Sequence, residues 1–181
     1  YYMLSTFRPV NVPEYALAER LKLFSKRYPV DFASYIPFSW SEMHHHNDTM
    51  DEMKAGFTKR FKDQITGGFT VNAVSMRQYP TSEMVLWYYL KEYFDKGLDF
   101  NTISLQKASV FDGFDTVADS INFTYYRGGS ATQYNLTFYL GNDSNNWLYV
   151  ELFGLAKGQD FDAWSINKRT LQLFIENFKT I

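Results

Sequence analysis

The chain has 181 residues, with 18 basic and 20 acidic side chains and a formal net charge of −2. It contains 17 Phe, 14 Tyr and 4 Trp but no cysteine. These counts exclude a largely disordered chain, because the rings provide a core and few charges oppose collapse. They also exclude disulfides and thiolate chemistry, and they give no global attraction to nucleic acid.

Residues 1–29 are predicted to form an N-terminal extension that contains a helix. Pro13 suits the first turn of this helix, and Pro29 cannot continue it. The chain opens on Tyr1, so we expect a trimmed or mature form with a signal peptide or a lipid-modified cysteine upstream. The apolar side chains at helical spacing are Tyr15, Leu17, Ala18, Leu21 and Phe24.

Residues 30–181 are predicted to form a single domain. Its first part, residues 30–40, has the composition of a strand interrupted at Pro37. A second helix is predicted over residues 51–62, because Met50, Met53, Phe57 and Phe61 recur at helical spacing. A strand over residues 69–76 follows, after the pair Gly67-Gly68.

The strongest helix signal covers residues 81–96. Thr81 or Ser82 can cap its start, and Gly97 ends it. Its expected buried stripe is Val85, Leu86, Tyr89, Leu90, Tyr93 and Phe94. The longest apolar run, Met84–Leu90, is far shorter than the ~20 residues that cross a bilayer, so no transmembrane segment is predicted.

The remaining residues predict a meander of four strands and a final helix. Turn signals at Asp112-Gly113, Gly128-Gly129 and residues 141–146 separate the strands. Such short connections exclude parallel crossovers, so the predicted fold class is α+β. Asp160 can cap the last helix, whose expected apolar face is Phe161, Trp164, Ile166, Leu171, Phe174, Ile175 and Phe178.

Three segments carry a resemblance to a known family. In Phe32–Trp40 a strand meets a proline and then a tryptophan, which looks like the family's opening hairpin. The helix start at Thr81-Ser82-Glu83 and the closing pattern Trp147–Glu151, before a helix that ends in Ile175–Phe178, follow in the same order. Residues 31–181 thus resemble the PsbP-like fold family, which includes the extrinsic photosystem subunit, Ran-binding relatives and DcrB-type envelope lipoproteins.

The resemblance implies an architecture and a broad role. The fold would be an α/β/α sandwich with a central, mainly antiparallel sheet and the terminal helix packed on that sheet. The role would be that of a binding or assembly module, since the family has no common catalytic residue. Fold alone carries little functional information.

One cluster in the sequence has the composition of a metal site. His44, His45 and His46 are the only histidines in the chain, and Asp48 follows them closely. Imidazoles and carboxylates can hold a transition metal, but three adjacent side chains on extended backbone point to alternate faces. The favoured interpretation is a solvated loop and no cofactor, and a weak transition-metal site is the alternative.

A second candidate site is a set of tyrosines in the meander. One face of the sheet must be core, and the opposite face could display Tyr126, Tyr139 and Tyr149 to a protein partner. Plain packing of these rings is the alternative interpretation.

The leading functional hypothesis is a non-enzymatic module, exported and tethered to a membrane upstream, that docks on a larger protein complex. An extracytoplasmic location in the periplasm or envelope is favoured, although the lack of cysteine suits the cytoplasm as well. The first alternative is a helix-grip cup with a closed cavity lined by residues such as Phe138 and Trp147. The second is a metal-dependent enzyme that uses the loop from His44 to His46.

Overall fold

The computed structural model describes residues 21–26, 32–43, 52–61, 64–107, 114–143 and 145–181. The strands in these ranges are β1 (Leu21–Lys26), β2 (Phe32–Pro37), β3 (Ser41–Met43), β4 (Glu52–Phe61), β5 (Gln64–Ser75), β6 (Gln106–Lys107), β7 (Thr116–Arg127), β8 (Ser130–Asp143), β9 (Asn146–Leu155) and β10 (Lys179–Thr180). The helices are α1 (Ser82–Phe94), a short 3₁₀ turn (Phe100–Thr102) and α2 (Phe161–Glu176).

The strands form two antiparallel sheets. The larger has the order β3-β4-β5-β9-β8-β7-β6, and the smaller has the order β1-β2-β10. Every pairing between neighbouring strands is antiparallel. The long strands β5, β9 and β8 form the centre of the larger sheet, which agrees with the predicted α+β class.

Each face of the larger sheet is covered by one helix. Alternation along β9 sends Leu148 and Val150 to the core beneath α2, and it sends Trp147 and Tyr149 to the core beneath α1. Phe32 of β2 joins the α2-side core, so the smaller sheet lies on that side too. The predicted α/β/α sandwich, with the terminal helix packed on the sheet, is confirmed.

Phenylalanines hold α2 to both sheets. The ring of Phe174 lies 4.6 Å from that of Phe69, edge to face, and the ring of Phe178 stacks on Phe32 at 5.2 Å. Ser34 Oγ donates a buried hydrogen bond of 2.5 Å to the carbonyl oxygen of Phe174. Strand β10 then pairs with β2, so the end of the described chain closes on one of its first strands.

A pair of glycines lets the first half of α2 approach the sheet closely. Gly67 and Gly154 are register partners on β5 and β9. A Cβ would lie 2.5 Å from Asn167 Nδ2 at Gly67 and 2.6 Å from the same atom at Gly154. The amide of Asn167 therefore occupies the space that two side chains would fill, and its Nδ2 donates to the carbonyl oxygen of Thr66 at 2.9 Å.

Both long helices and the meander agree with the sequence prediction. Thr81 Oγ1 accepts the N–H of Met84 at 3.3 Å as the cap of α1, and Asp160 caps α2 through Ala163 N. Gly128 and its neighbour have φ of 57° and 81°, as the two-residue turn between β7 and β8 requires.

Two predicted helices are corrected. Residues 52–61 form β4, because the four-residue spacing of Phe57 and Phe61 suits the two-residue period of a strand as well as a helix. Leu21–Lys26 is β1, paired along its length with β2, while residues 14–20 lie outside the described ranges. Here strand pairing overrides the local helical pattern.

Two further outcomes concern turns and boundaries. The first strand of the predicted meander, expected over residues 102–109, is described only to residue 107, where the structure has the end of the 3₁₀ turn and β6; the Asp112-Gly113 turn lies outside the described residues. The domain boundary at residue 29 stays a prediction, although β1 of the predicted extension shares a sheet with β2. No helix in the described part of the chain is both long and apolar enough to cross a membrane.

Candidate functional site

Helix α1 carries apolar side chains on two opposite faces. Its inner face contributes Val85, Leu90 and their neighbours to the core. Its outer face exposes 45% of Met84 and 56% of Trp87. A helix that is apolar on all sides is normally buried on all sides. The outer face of α1 is therefore unusual for a helix whose core contacts are already made on its inner side.

These outer side chains form a groove along the helix. It has a volume of about 450 Å³ and is called the α1 groove below; its lining residues are Tyr79, Glu83, Met84, Trp87, Tyr88, Lys91 and Phe100. Met84 and Lys91 are seven residues apart and lie on one line along the helix. Trp87 and Tyr88 flank that line on either side. The groove thus has a central strip between two aromatic walls.

Contacts between rings fix both walls. The ring of Trp87 lies 5.0 Å from Phe94 and 5.9 Å from Phe100, and the ring of Tyr88 lies 4.9 Å from Tyr79. One wall therefore consists of Trp87 and Phe94 of α1 with Phe100 of the 3₁₀ turn. The other consists of Tyr88 of α1 with Tyr79, which precedes the helix.

Strand β9 anchors one end of the groove. The indole N–H of Trp147 donates to the carbonyl oxygen of Tyr79 at 2.6 Å, which holds the segment before α1 in place. The groove is consequently formed before any partner arrives, and preorganisation lowers the entropic cost of binding.

Opposite charges lie in the α1 groove. Glu83 is in the first turn of α1 and Lys91 is in the last. The Lys91 ammonium lies 4.6 Å from the centroid of the Tyr88 ring, in a cation–π contact. Eight residues of helix separate the two charges by about 12 Å along the axis. The groove therefore favours one orientation of a ligand that carries opposite charges at its two ends.

The three tyrosines of the sequence prediction do not share a surface. Tyr149 is buried in the α1-side core, where its ring stacks on Tyr89 at 4.6 Å, so its predicted display to a partner is wrong. Tyr139 is half-buried on the other side of the sheet and contacts Phe114. Tyr126 is 74% exposed beside the β7–β8 turn, and its role in partner binding stays a prediction.

Tyr149 instead belongs to a buried polar cluster. Its hydroxyl donates to Glu151 Oε2 at 2.7 Å, and the hydroxyl of Tyr93 donates to Glu151 Oε1. Burial, then the charge of Glu151, raises the pKa of both tyrosines. Glu151 is only 6% exposed. The cluster links α1 to β9 through hydrogen bonds, and it is enclosed by the surrounding core.

A second, smaller cavity of about 200 Å³ lies where α2 meets the β4–β5 hairpin. Its charges balance, since Lys59 and Arg60 face Asp160 and Asp162. Asn167 also lines it, and its buried Oδ1 has no hydrogen-bond partner among the described residues. That oxygen packs against Gly67. The close approach of α2 to the sheet explains why this amide oxygen is buried against Gly67.

One lysine of α2 is partly buried on the sheet. Lys168 Nζ donates to Thr137 Oγ1 of β8 at 2.9 Å. Burial lowers its pKa to about 8. The lysine therefore titrates nearer to neutral pH than an exposed lysine does.

The predicted metal site cannot be placed in the structure. His44, His45, His46 and Asp48 lie outside the described residues, so their metal binding stays a prediction. Within the described ranges, no group of three or more His, Asp or Glu side chains could hold a metal ion.

The residues named for a helix-grip cavity are packed instead. Phe138 is fully buried, and its ring stacks on Tyr149 at 5.5 Å. Trp147 is buried in the same core and is tied to Tyr79. Neither residue lines the α1 groove or the cavity at α2.

Sequence reasoning missed the α1 groove. The signal was present, because Met84, Trp87 and Tyr88 recur at helical spacing on the side opposite the predicted buried stripe. Their position at the surface depends on which side of α1 the sheet covers, and only the structure shows that.

The fold is similar to that of solved proteins. The Ran-binding protein Mog1p of Saccharomyces cerevisiae matches with a TM-score of 0.57 and 7% identity, over 89% of this chain and 95% of that chain. A point mutant of Mog1 matches with a TM-score of 0.58 and 8% identity, over 90% and 96%. These likenesses support the PsbP-like fold.

A third structure is similar more loosely. LpqN, involved in cell envelope biogenesis of Mycobacterium tuberculosis, matches with a TM-score of 0.48 and 9% identity, over 92% of this chain and 95% of that chain. This likeness is too loose to support an inference about the chain. No protein-family model matches the sequence, and the comparison with curated proteins gives no match.

Proposed function

We propose that this protein is a non-enzymatic binding module that docks on a larger protein assembly through the α1 groove. The observation that carries the proposal is the outer face of α1, where Trp87 and Met84 are exposed although the helix already has a complete inner face. Interface centres are enriched in Trp, Tyr and Met. The α1 groove has this composition.

Two further observations support a binding role over a catalytic one. Glu151, a buried carboxylate that accepts from two tyrosine hydroxyls, is enclosed in the core, whereas a catalytic acid or base must reach its substrate. In addition, a protein with the same fold, Mog1p, is a Ran-binding protein. Export and attachment to a membrane are part of the proposal, and they rest on the sequence interpretation alone.

Site-specific photo-crosslinking in cells tests the proposal. A benzophenone amino acid replaces Met84 in one variant and Tyr126 in another, and cross-linked proteins are identified by mass spectrometry. We expect a discrete protein adduct from position 84, since that side chain is at the centre of the α1 groove.

The identified protein is then purified and titrated. Trp87→Ala should weaken its binding by at least about tenfold, as expected for an aromatic hot spot. Phe161→Ala is the matched control, because Phe161 is 54% exposed but lies on α2. Adducts from position 126 alone, or a partner whose affinity Trp87→Ala leaves unchanged, would contradict docking at the α1 groove.

A further inference from the structure

We infer that the ligand of the α1 groove is an extended, proline-containing peptide segment with a basic residue at one end and an acidic residue at the other. The inference rests on the proposed function and specifies the partner of the same site. Three properties of the groove carry it: its rings, its hydrogen-bond donors and its two charges.

The lining of the groove favours proline over aliphatic side chains. Four of its seven lining residues are aromatic, and Met84 is the one aliphatic-like side chain among them. Flat rings that stand as two walls stack well on the flat pyrrolidine ring, and aromatic-lined grooves are the usual sites for proline-rich segments. An amphipathic helix would instead need pockets for branched aliphatic side chains.

The polar atoms of the walls favour an extended backbone. The walls carry two hydrogen-bond donors, the indole N–H of Trp87, whose side chain is 56% exposed, and the hydroxyl of Tyr79. The carbonyl groups of a polyproline II segment are free to accept such bonds. The carbonyl groups of a helix are already occupied by its own N–H groups.

The spacing of the charges sets the length of the segment. Glu83 and Lys91 are about 12 Å apart along the helix axis, and polyproline II advances about 3.1 Å per residue. A ligand that pairs with both therefore carries its two charges about four residues apart. Its basic end lies beside Glu83 and its acidic end beside Lys91.

Titration with synthetic peptides tests the inference. The probe is acetyl-Gly-Arg-Pro-Leu-Pro-Glu-Gly-amide, and the readout is the set of four tryptophan indole N–H signals in an NMR spectrum of the full chain. We expect one indole signal, absent in Trp87→Ala, to shift in a saturable manner. Because Trp87→Ala removes its own signal, the affinities of the variants are measured by isothermal titration calorimetry: Trp87→Ala should bind at least about tenfold more weakly, and Phe161→Ala should bind as the wild type does.

A matched peptide with glutamine in place of the arginine tests the charge pairing. Against the wild-type protein it should bind about two to five times more weakly, as expected for one exposed ion pair. Against Glu83→Gln the two peptides should bind equally. The indole signals of Trp40, Trp147 and Trp164, present in every variant, show that each variant is folded.

Two results would overturn the inference. One is the lack of a shift in the Trp87 signal at any peptide concentration. The other is tighter binding of an alanine-rich helical peptide with the same end charges. Neither result touches the proposed function, which is tested by the cross-link from position 84 and would survive with a partner of different conformation.

Discussion

The two helices occupy equivalent places on opposite faces of one sheet, but their outer surfaces differ. Beyond Phe161 in its first turn, the outer face of α2 is polar, with Arg169, Gln172 and Glu176 exposed and Gln172 Nε2 donating to Glu176 at 2.7 Å. The outer face of α1 presents Met84 and Trp87. Both helices have complete inner faces, so core formation does not explain the apolar surface of α1. The difference separates side chains that hold the fold from side chains that meet a partner.

The largest effect is expected on the inner face of α2. Phe174→Ala removes a fully buried ring that contacts Phe69 and Phe178, so the free energy of unfolding should fall by about 3–5 kcal/mol. Urea denaturation measures it. Phe161→Ala, at the exposed start of the same helix, should change it by less than about 0.5 kcal/mol. Similar losses for the two variants would contradict the division into inner and outer faces.

A smaller effect is expected where α2 is seated on glycines. Gly154→Ala places a Cβ 2.6 Å from Asn167 Nδ2, and such overpacking should cost about 1–3 kcal/mol of the free energy of unfolding. Gly68→Ala is the matched control, since nothing lies within 4 Å of a Cβ there. Adding Asn167→Ala should remove part of the cost of Gly154→Ala in a double-mutant cycle. Strict additivity would rule out the proposed clash.

The free energy of unfolding should also depend on pH through Lys168, which packs between α2 and the sheet. Burial lowers the folded-state pKa of Lys168 to about 8, whereas in the unfolded chain it is near 10.5. Between these values the unfolded chain binds more protons, so the free energy of unfolding should rise with pH in this window. Lys168→Met should remove that rise. The comparison is made below pH 10, because the raised pKa values of Tyr93 and Tyr149 reduce stability above it. Parallel curves for both proteins would refute the assignment.

The smallest effect on stability is expected on the outer face of α1. Trp87→Gln should change the free energy of unfolding by no more than about 0.5–1 kcal/mol, because the side chain is largely exposed. Leu90→Ala, on the inner face of the same helix, should cost about 2–5 kcal/mol. A large fall in the free energy of unfolding for Trp87→Gln would mean that the outer rings stabilise the fold and are not reserved for binding a partner.

Local signals determined which elements could be predicted from the sequence. Thr81 and Asp160 cap helices as their side chains predict, and the Gly128-Gly129 turn connects two strands of clear alternation. The pattern at Phe57 and Phe61 fits two periods, so only the pairing of β4 with β5 decides between strand and helix. For β1 the deciding contact is its pairing with β2, which lies outside the short stretch of sequence whose spacing predicts a helix.

The candidate site was less predictable than the fold for a geometric reason. The alternation of side chains along β8 and β9 shows that Tyr139 and Tyr149 point to the opposite face of the sheet from the residues next to them in sequence. It does not show which face of the sheet a helix covers. Helix α1 covers the face of Tyr149, and that follows from the packing of Val85 and Tyr89 against β8 and β9. Because both faces of the larger sheet are covered, Trp87 is exposed on a covering helix and Tyr126 at an end of that sheet.

The closure of β10 onto β2 has a consequence for the order in which the chain can fold. Lys179 and Thr180 pair with Ala33 and Phe32, so these contacts join residues almost 150 positions apart. During synthesis, β2 cannot pair with β10, its second neighbouring strand, until the whole meander and α2 have been made. Contacts of such long range slow folding and leave partly folded chains exposed to aggregation. The smaller sheet should therefore be the last part to acquire protection from hydrogen exchange in refolding, and the first to lose it when the final residues are removed.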